Sequence, residues 1–190
     1  MNFLETSTFV ALLLNIKTIV IYLILFLFMV DLAKADSYNK VARILKIILY
    51  PILLIMNIHY KKFNVGLLFS ALLIEFLVQY FFYLPGVSVG LVASVAFYKI
   101  ALALILVLKV VIISGVVLSW LYMFGVSFYN SFTSILQEVY ESTVSVFRNI
   151  IPPTGGFDLS PLVAIFLIQL SQRVLNTIYC ANLGIGCPYL

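Results

Sequence analysis

Four ionisable side chains stand where a lipid bilayer would surround them. Lys17 lies eight residues into an apolar run over 9–31, and Glu75 lies nine residues before the end of another over 64–84. Lys109 lies nine residues into a third run, 100–124, and Arg173 eight before the end of a fourth, 159–181. A charge at mid-bilayer costs roughly 2.5–3.5 kcal/mol on insertion scales, so each of these must be paired, reach a headgroup or serve a pathway. In antiparallel helix pairs the depths of Lys17 and Glu75 coincide, and an ion pair there would offset much of the cost. Lys109 and Arg173 also coincide, but both are cations, softened only by Gln169 and Gln172. Either Glu75 serves both lysines across the two halves of the chain, or Arg173 faces anionic headgroups. Snorkelling of the long cationic side chains, a structural ion pair and an ion or proton pathway all remain open at this point.

Other reactive groups are few. Cys180 and Cys187 lie near the end of the sequence, and the one histidine, His59, is far from them, so the spacing matches no zinc site. The simple expectation is a buried free thiol at Cys180 and an exposed one at Cys187. A bridge between them requires an oxidising compartment on that side. There is no glycine-rich phosphate loop after a strand and no His-Glu metal motif. The expectation is a protein that is not an enzyme, with no catalytic residues, no metal and no cofactor.

These side chains need elements to hold them. Of 190 residues, 64% are hydrophobic and 9% charged, and the mean hydropathy is +1.19. Soluble domains carry about 25% charged residues, so this surface faces lipid. A helical span takes about 20 apolar residues, which the runs 9–31, 64–84, 100–124 and 159–181 supply. The fourth is the weakest, interrupted by Gln169, Ser171, Gln172 and Arg173. Ala33-Lys34-Ala35 has the small residues of a signal cleavage site, but Glu5 and the long apolar run favour a retained span. The fold class expected is an all-α membrane protein of about four spans.

Basic residues set the orientation. Lys34, Lys40, Arg43, Lys46, Lys61, Lys62 and Arg148 share one side, and Lys99 alone lies near the opposite loop. The positive-inside rule makes the first side cytoplasmic and puts both termini outside, in a multi-pass protein of the cell inner (plasma) membrane. The net charge of +4 then speaks for anionic lipid headgroups as partners, with no direct nucleic-acid binding expected. Between spans, 128–150 has the period of an amphipathic helix, with Phe132, Ile135, Leu136, Val139, Thr143, Val146 and Phe147 on its apolar stripe. The segment 39–58 is similar but greasier and is broken by Pro51. Both are expected to lie in the interface.

The chain also repeats itself. Lys17 matches Lys109 after 92 residues, Tyr38-Asn39 matches Tyr129-Asn130 after 91, and Phe63-Asn64 matches Phe157-Asp158 after 94. Glu75 then stands opposite Gln169, and Gln79 opposite Arg173. Each unit, 1–84 and 85–190, holds two spans and an interfacial helix, so the repeats are parallel rather than inverted. Gly86, Gly90 and Ser94, and again Gly115 and Ser119, form small-residue faces that let helices approach closely. With only four spans the protein buries its polar side chains better as an oligomer, so self-association is expected.

The second unit carries PPTGGFDLSP over 152–161, ahead of an apolar span. This string resembles the signature of the YggT (YlmG) family, small membrane proteins built of tandem two-span units. Pro152 and Pro153 stop the preceding helix. Gly155 and Gly156 allow a tight turn. Asp158 or Ser160 caps the next helix, and Pro161 fits its first turn. The string is either a sharp re-entry into the bilayer or a contact for a partner or ion. The resemblance implies a non-enzymatic scaffold or assembly factor for a membrane complex, a homo-oligomer or one joined to a membrane-protein partner. Its alternative is potassium transport or osmotic tolerance.

Overall fold

The computed structural model describes residues 3–35, 39–56, 59–60, 63–83, 85–126, 128–148 and 158–183. It is an all-α membrane protein with four helices long and apolar enough to cross a bilayer: Val10–Ala33, Val65–Tyr83, Val89–Met123 and Ser160–Ala181. The chain divides into two compact units, Met1–Leu104 and Ile105–Leu190, with the division inside the third long helix.

The first unit opens with α1 (Phe3–Ala33), apolar on all sides as a spanning helix must be. It ends at Lys34, which adopts a left-handed φ of 52°, and the Ala35 N–H reaches back to the Val30 carbonyl. That is the hydrogen bond of a Schellman motif, which satisfies one of the last carbonyls of the helix. Asn39 then caps α2 (Lys40–Ile48) by accepting the Val41 N–H on its side chain at 2.9 Å. Helix α2 buries Ala42 and Leu45 and leaves Ile44, Ile47 and Ile48 exposed beside Lys40 and Arg43. The break anticipated at Pro51 falls two residues earlier, at Leu49, and α3 (Tyr50–Met56) takes Pro51 in its first turn. A proline there forfeits no ladder bond. Two short strands, β1 (His59–Tyr60) and β2 (Phe63–Asn64), pair antiparallel and lead into α4 (Val65–Val78).

Helix α4 packs mainly on α1. Its last turn widens into a π-helical turn over Gln79–Tyr83, which the sequence did not announce. Gly86, at φ 82°, then turns the chain into α5 (Val89–Met123). This helix begins eleven residues ahead of the expected span over 100–124. Its 35 residues extend about 52 Å, well beyond the roughly 30 Å hydrocarbon core. The added turns are held by a packed stripe of Val92, Val95 and Ala96.

In the second unit α5 ends as α1 does. Gly125 sits at φ 78°, and the Val126 N–H bonds the Leu121 carbonyl. Asn130 caps α6 (Ser131–Arg148), its side chain accepting the Phe132 and Thr133 N–H groups at 2.9 Å each. Helix α6 is amphipathic and packs on α7 (Ser160–Leu183). Its buried stripe is Thr133, Ile135, Leu136, Val139, Tyr140 and Val144, whereas Phe132 and Val146, assigned to that stripe from the sequence, are exposed. Tyr140 lies against Gly115 of α5, where a Cβ would run into the ring and its Cβ. This small residue therefore serves a contact within the chain, while Gly86 and Gly90 have open space around them.

Candidate functional site

Glu75 is the centre of the first unit's polar cluster. It points from α4 toward α1 and is 2% exposed. One carboxylate oxygen accepts from the Lys17 ammonium at 2.7 Å. The other accepts from the Gln79 amide at 2.7 Å and lies 3.8 Å from the Lys99 ammonium. Lys99 comes from the early turns of α5, and its ammonium sits 5.0 Å from the centre of the Tyr83 ring. Gln79 is the first residue of the π-helical turn and is itself 2% exposed.

The physical reason for this arrangement is solvation. A carboxylate withdrawn from water keeps its charge only if cations and donors replace the lost hydration. Here two cations and an amide occupy most of the roughly four lone-pair directions that a carboxylate offers. The sequence matched the depths of Lys17 and Glu75 and held their ion pair as one of three options. It did not bring in Gln79 or Lys99. Gln79 was legible in principle, one helical turn after Glu75; Lys99 was not, because it was read as lying near a loop.

In the second unit, the Lys109 ammonium donates to the Gln172 side-chain carbonyl at 2.9 Å. Within its unit Lys109 meets a neutral amide, and within the other Glu75 takes Lys17 and Lys99. Arg173 is on the exposed side of α7, and so is Gln169 one turn before it. Cys180 is disulfide-bonded, which corrects the expectation of a free thiol there; Cys187 lies outside the described residues.

A second cluster closes the approach to α7. Arg148, the last residue of α6, donates from Nε to Asp158 at 2.7 Å and from a terminal nitrogen to Glu141. The other Asp158 oxygen accepts the Ser160 N–H at 2.9 Å, and Ser160 and Pro161 are both buried in the first turn of α7. Hydrogen bonds to Glu141 and Asp158 hold the guanidinium pKa above its ordinary value. Burial works to raise the Asp158 pKa, but the bonds from Ser160 and Arg148 outweigh it and hold the carboxyl below 3.8. Tyr140 nearby is raised, first by burial and then by the Glu141 charge. Pro152, Pro153, Gly155 and Gly156 lie outside the described residues, so the geometry of the string is described only at Asp158, Ser160 and Pro161.

The CCB3/YggT family model matches residues 94–179. This stretch of the chain is a CCB3/YggT-type domain. The YggT domain takes in most of α5, all of α6 and most of α7, with the PPTGGFDLSP string, Lys99, Lys109 and Arg173 inside it. Lys17 and Glu75 lie ahead of it. No curated protein and no solved structure matches the chain.

Proposed function

We propose that this protein is a non-enzymatic membrane scaffold, an assembly factor for a membrane complex, seated in the plasma membrane with the start of α1 and the end of α7 on the extracytoplasmic side. The observation that carries this reading is the closed condition of Glu75. Its carboxylate is spent on Lys17, Gln79 and Lys99, so a cation enters only by displacing a lysine. Charges arranged in this way fasten helices together. The disulfide at Cys180 supports the orientation, because disulfides persist in oxidising compartments.

On the cytoplasmic side, α2 suits contact with anionic lipid. Ile44, Ile47 and Ile48 are exposed, and Lys40 and Arg43 flank them. Such a surface sinks its apolar side chains among the acyl chains and sets its cations at the headgroups. The repeat supports a common plan for the two connectors. Lys34 and Gly125 both end a long helix in the left-handed region, and Asn39 and Asn130, five residues later in each case, both cap the next one.

One observation favours potassium transport as a second reading. The π-helical turn begins at Gln79, beside the buried carboxylate, and π-turns recur at functional sites. Potassium flux into liposomes carrying the purified protein separates the two. The scaffold reading expects flux no greater than in empty liposomes. Robust flux that disappears in folded Glu75→Gln would replace it with transport.

A further inference from the structure

We propose that the face of α7 bearing Gln169 and Arg173 docks a transmembrane helix of another protein that presents a carboxylate at the depth of Arg173. This names a partner chemistry for the scaffold and in that sense rests on that reading. Helix α7 is the least covered of the membrane-length helices: 6% of its apolar window is buried, against 22–33% in the others. Yet it is also the most polar of them. Among the described residues, neither the Gln169 amide nor the Arg173 guanidinium has a partner, and both are exposed. The neighbouring amide, Gln172, is committed to Lys109.

Charge decides what fits there. The described carboxylates of the second unit are Glu138 and Glu141 on α6 and Asp158 before α7. Arg173 follows the start of α7 by 13 residues, about 20 Å along the axis, which leaves Asp158 at the far end. Among the described residues of this unit, Lys109 and Arg173 thus form a positive pair of positions without an acid at their own level. A second copy of this chain does not supply one, because Glu75 is buried and held by Lys17 and Gln79. A guanidinium alone is satisfied by a lipid phosphate reached by snorkelling. Gln169 is not: its amide is short and lies deeper than Arg173 on the same face, where only another helix brings hydrogen-bonding groups. The i, i+4 spacing of Gln169 and Arg173 suits one carboxylate-bearing helix laid along the face.

The test uses the full-length protein in phosphatidylcholine vesicles, with fluorescent leucine-rich peptides of about 20 residues carrying Glu, Gln or Leu at the position matched to Arg173. Energy transfer reports association. The Glu peptide is expected to bind about tenfold more tightly than the Leu peptide, with Gln between them. Arg173→Gln should bring the Glu preference below about threefold, and Gln169→Leu should weaken Glu-peptide binding. Both residues are exposed, so unchanged helicity and melting temperature show that the variants fold. Equal binding of the three peptides overturns the proposal, as does a Glu preference that survives Arg173→Gln. Association that tracks only the anionic lipid content of the vesicles overturns it in favour of headgroup binding. None of these outcomes alters the flux result, so the scaffold reading stands or falls separately.

Discussion

The Lys17 ammonium lies 2.7 Å from the Glu75 carboxylate across α1 and α4, with side-chain exposures of 14% and 3%. Both side chains are far from water along their helices, so each stabilises the other's charge where solvent cannot. Lys99, 44% exposed and 3.8 Å away, adds less, because its charge is partly solvated. The pair therefore fixes the register of α1 against α4, and the amide of Gln79 fills the oxygen that Lys17 leaves open.

Gly115 is the close-approach point between α5 and Tyr140 of α6. Replacing it with leucine should lower stability in detergent by about 1–3 kcal/mol, the usual cost of overpacking. Thermal melting measures the loss. Gly115→Leu combined with Tyr140→Ala should recover part of it, whereas Gly90→Leu, in open space, should change little.

The Arg148–Asp158 contact gives the entry to α7 a pH dependence. The folded pKa of Asp158 lies below its unfolded value of 3.8, so its contribution is present above pH 3.8 and is lost as pH falls through the folded value. At pH 7 Asp158→Asn should cost about 1 kcal/mol, given partial exposure of both partners. Melting curves of the two proteins, compared from pH 7 downward, should converge below pH 3.8. A difference that persists unchanged into acid would show that the charge is not what Arg148 and Ser160 recognise.

The two asparagine caps should behave alike. Asn39→Ala and Asn130→Ala are each expected to cost about 1 kcal/mol, the typical loss for a helix N-cap. Hydrogen exchange localises the effect. Faster exchange should appear in the first turn of α2 for Asn39→Ala and in that of α6 for Asn130→Ala, because each side chain holds N–H groups there.

Much of this was legible in the sequence because the bilayer imposes simple rules. Run length located the four spans, and matching depths made a Lys17–Glu75 pair one of the options, which the structure takes up. The repeated Tyr-Asn pairs were legible as a repeat, but not as the helix caps that Asn39 and Asn130 prove to be. Other features depend on tertiary packing, which periodicity does not encode. Helix α5 was begun at Ile100 because a bilayer needs no more length, yet Val92, Val95 and Ala96 pack and carry the helix back to Val89. Gly115 was legible as a close-approach point, but that its neighbour is Tyr140 of α6 was not. The stripe of α6 was placed by hydrophobicity alone, which ranks Phe132 and Val146 above Thr133 and Tyr140. Tertiary packing buried the latter two, Tyr140 against Gly115 of α5.

Buried charges that fasten helices to one another should be energetically coupled, and a double-mutant cycle on Lys17 and Glu75 measures that coupling. Removing either partner alone leaves a buried charge without its nearest counter-ion and should cost up to about 3–5 kcal/mol, measured by unfolding in detergent, less for Lys17→Met because Gln79 and Lys99 stay on Glu75. Lys17→Met with Glu75→Leu should cost much less than the sum of the single changes, giving a coupling of more than about 1 kcal/mol. Additive losses, with no coupling between the two positions, would contradict the account.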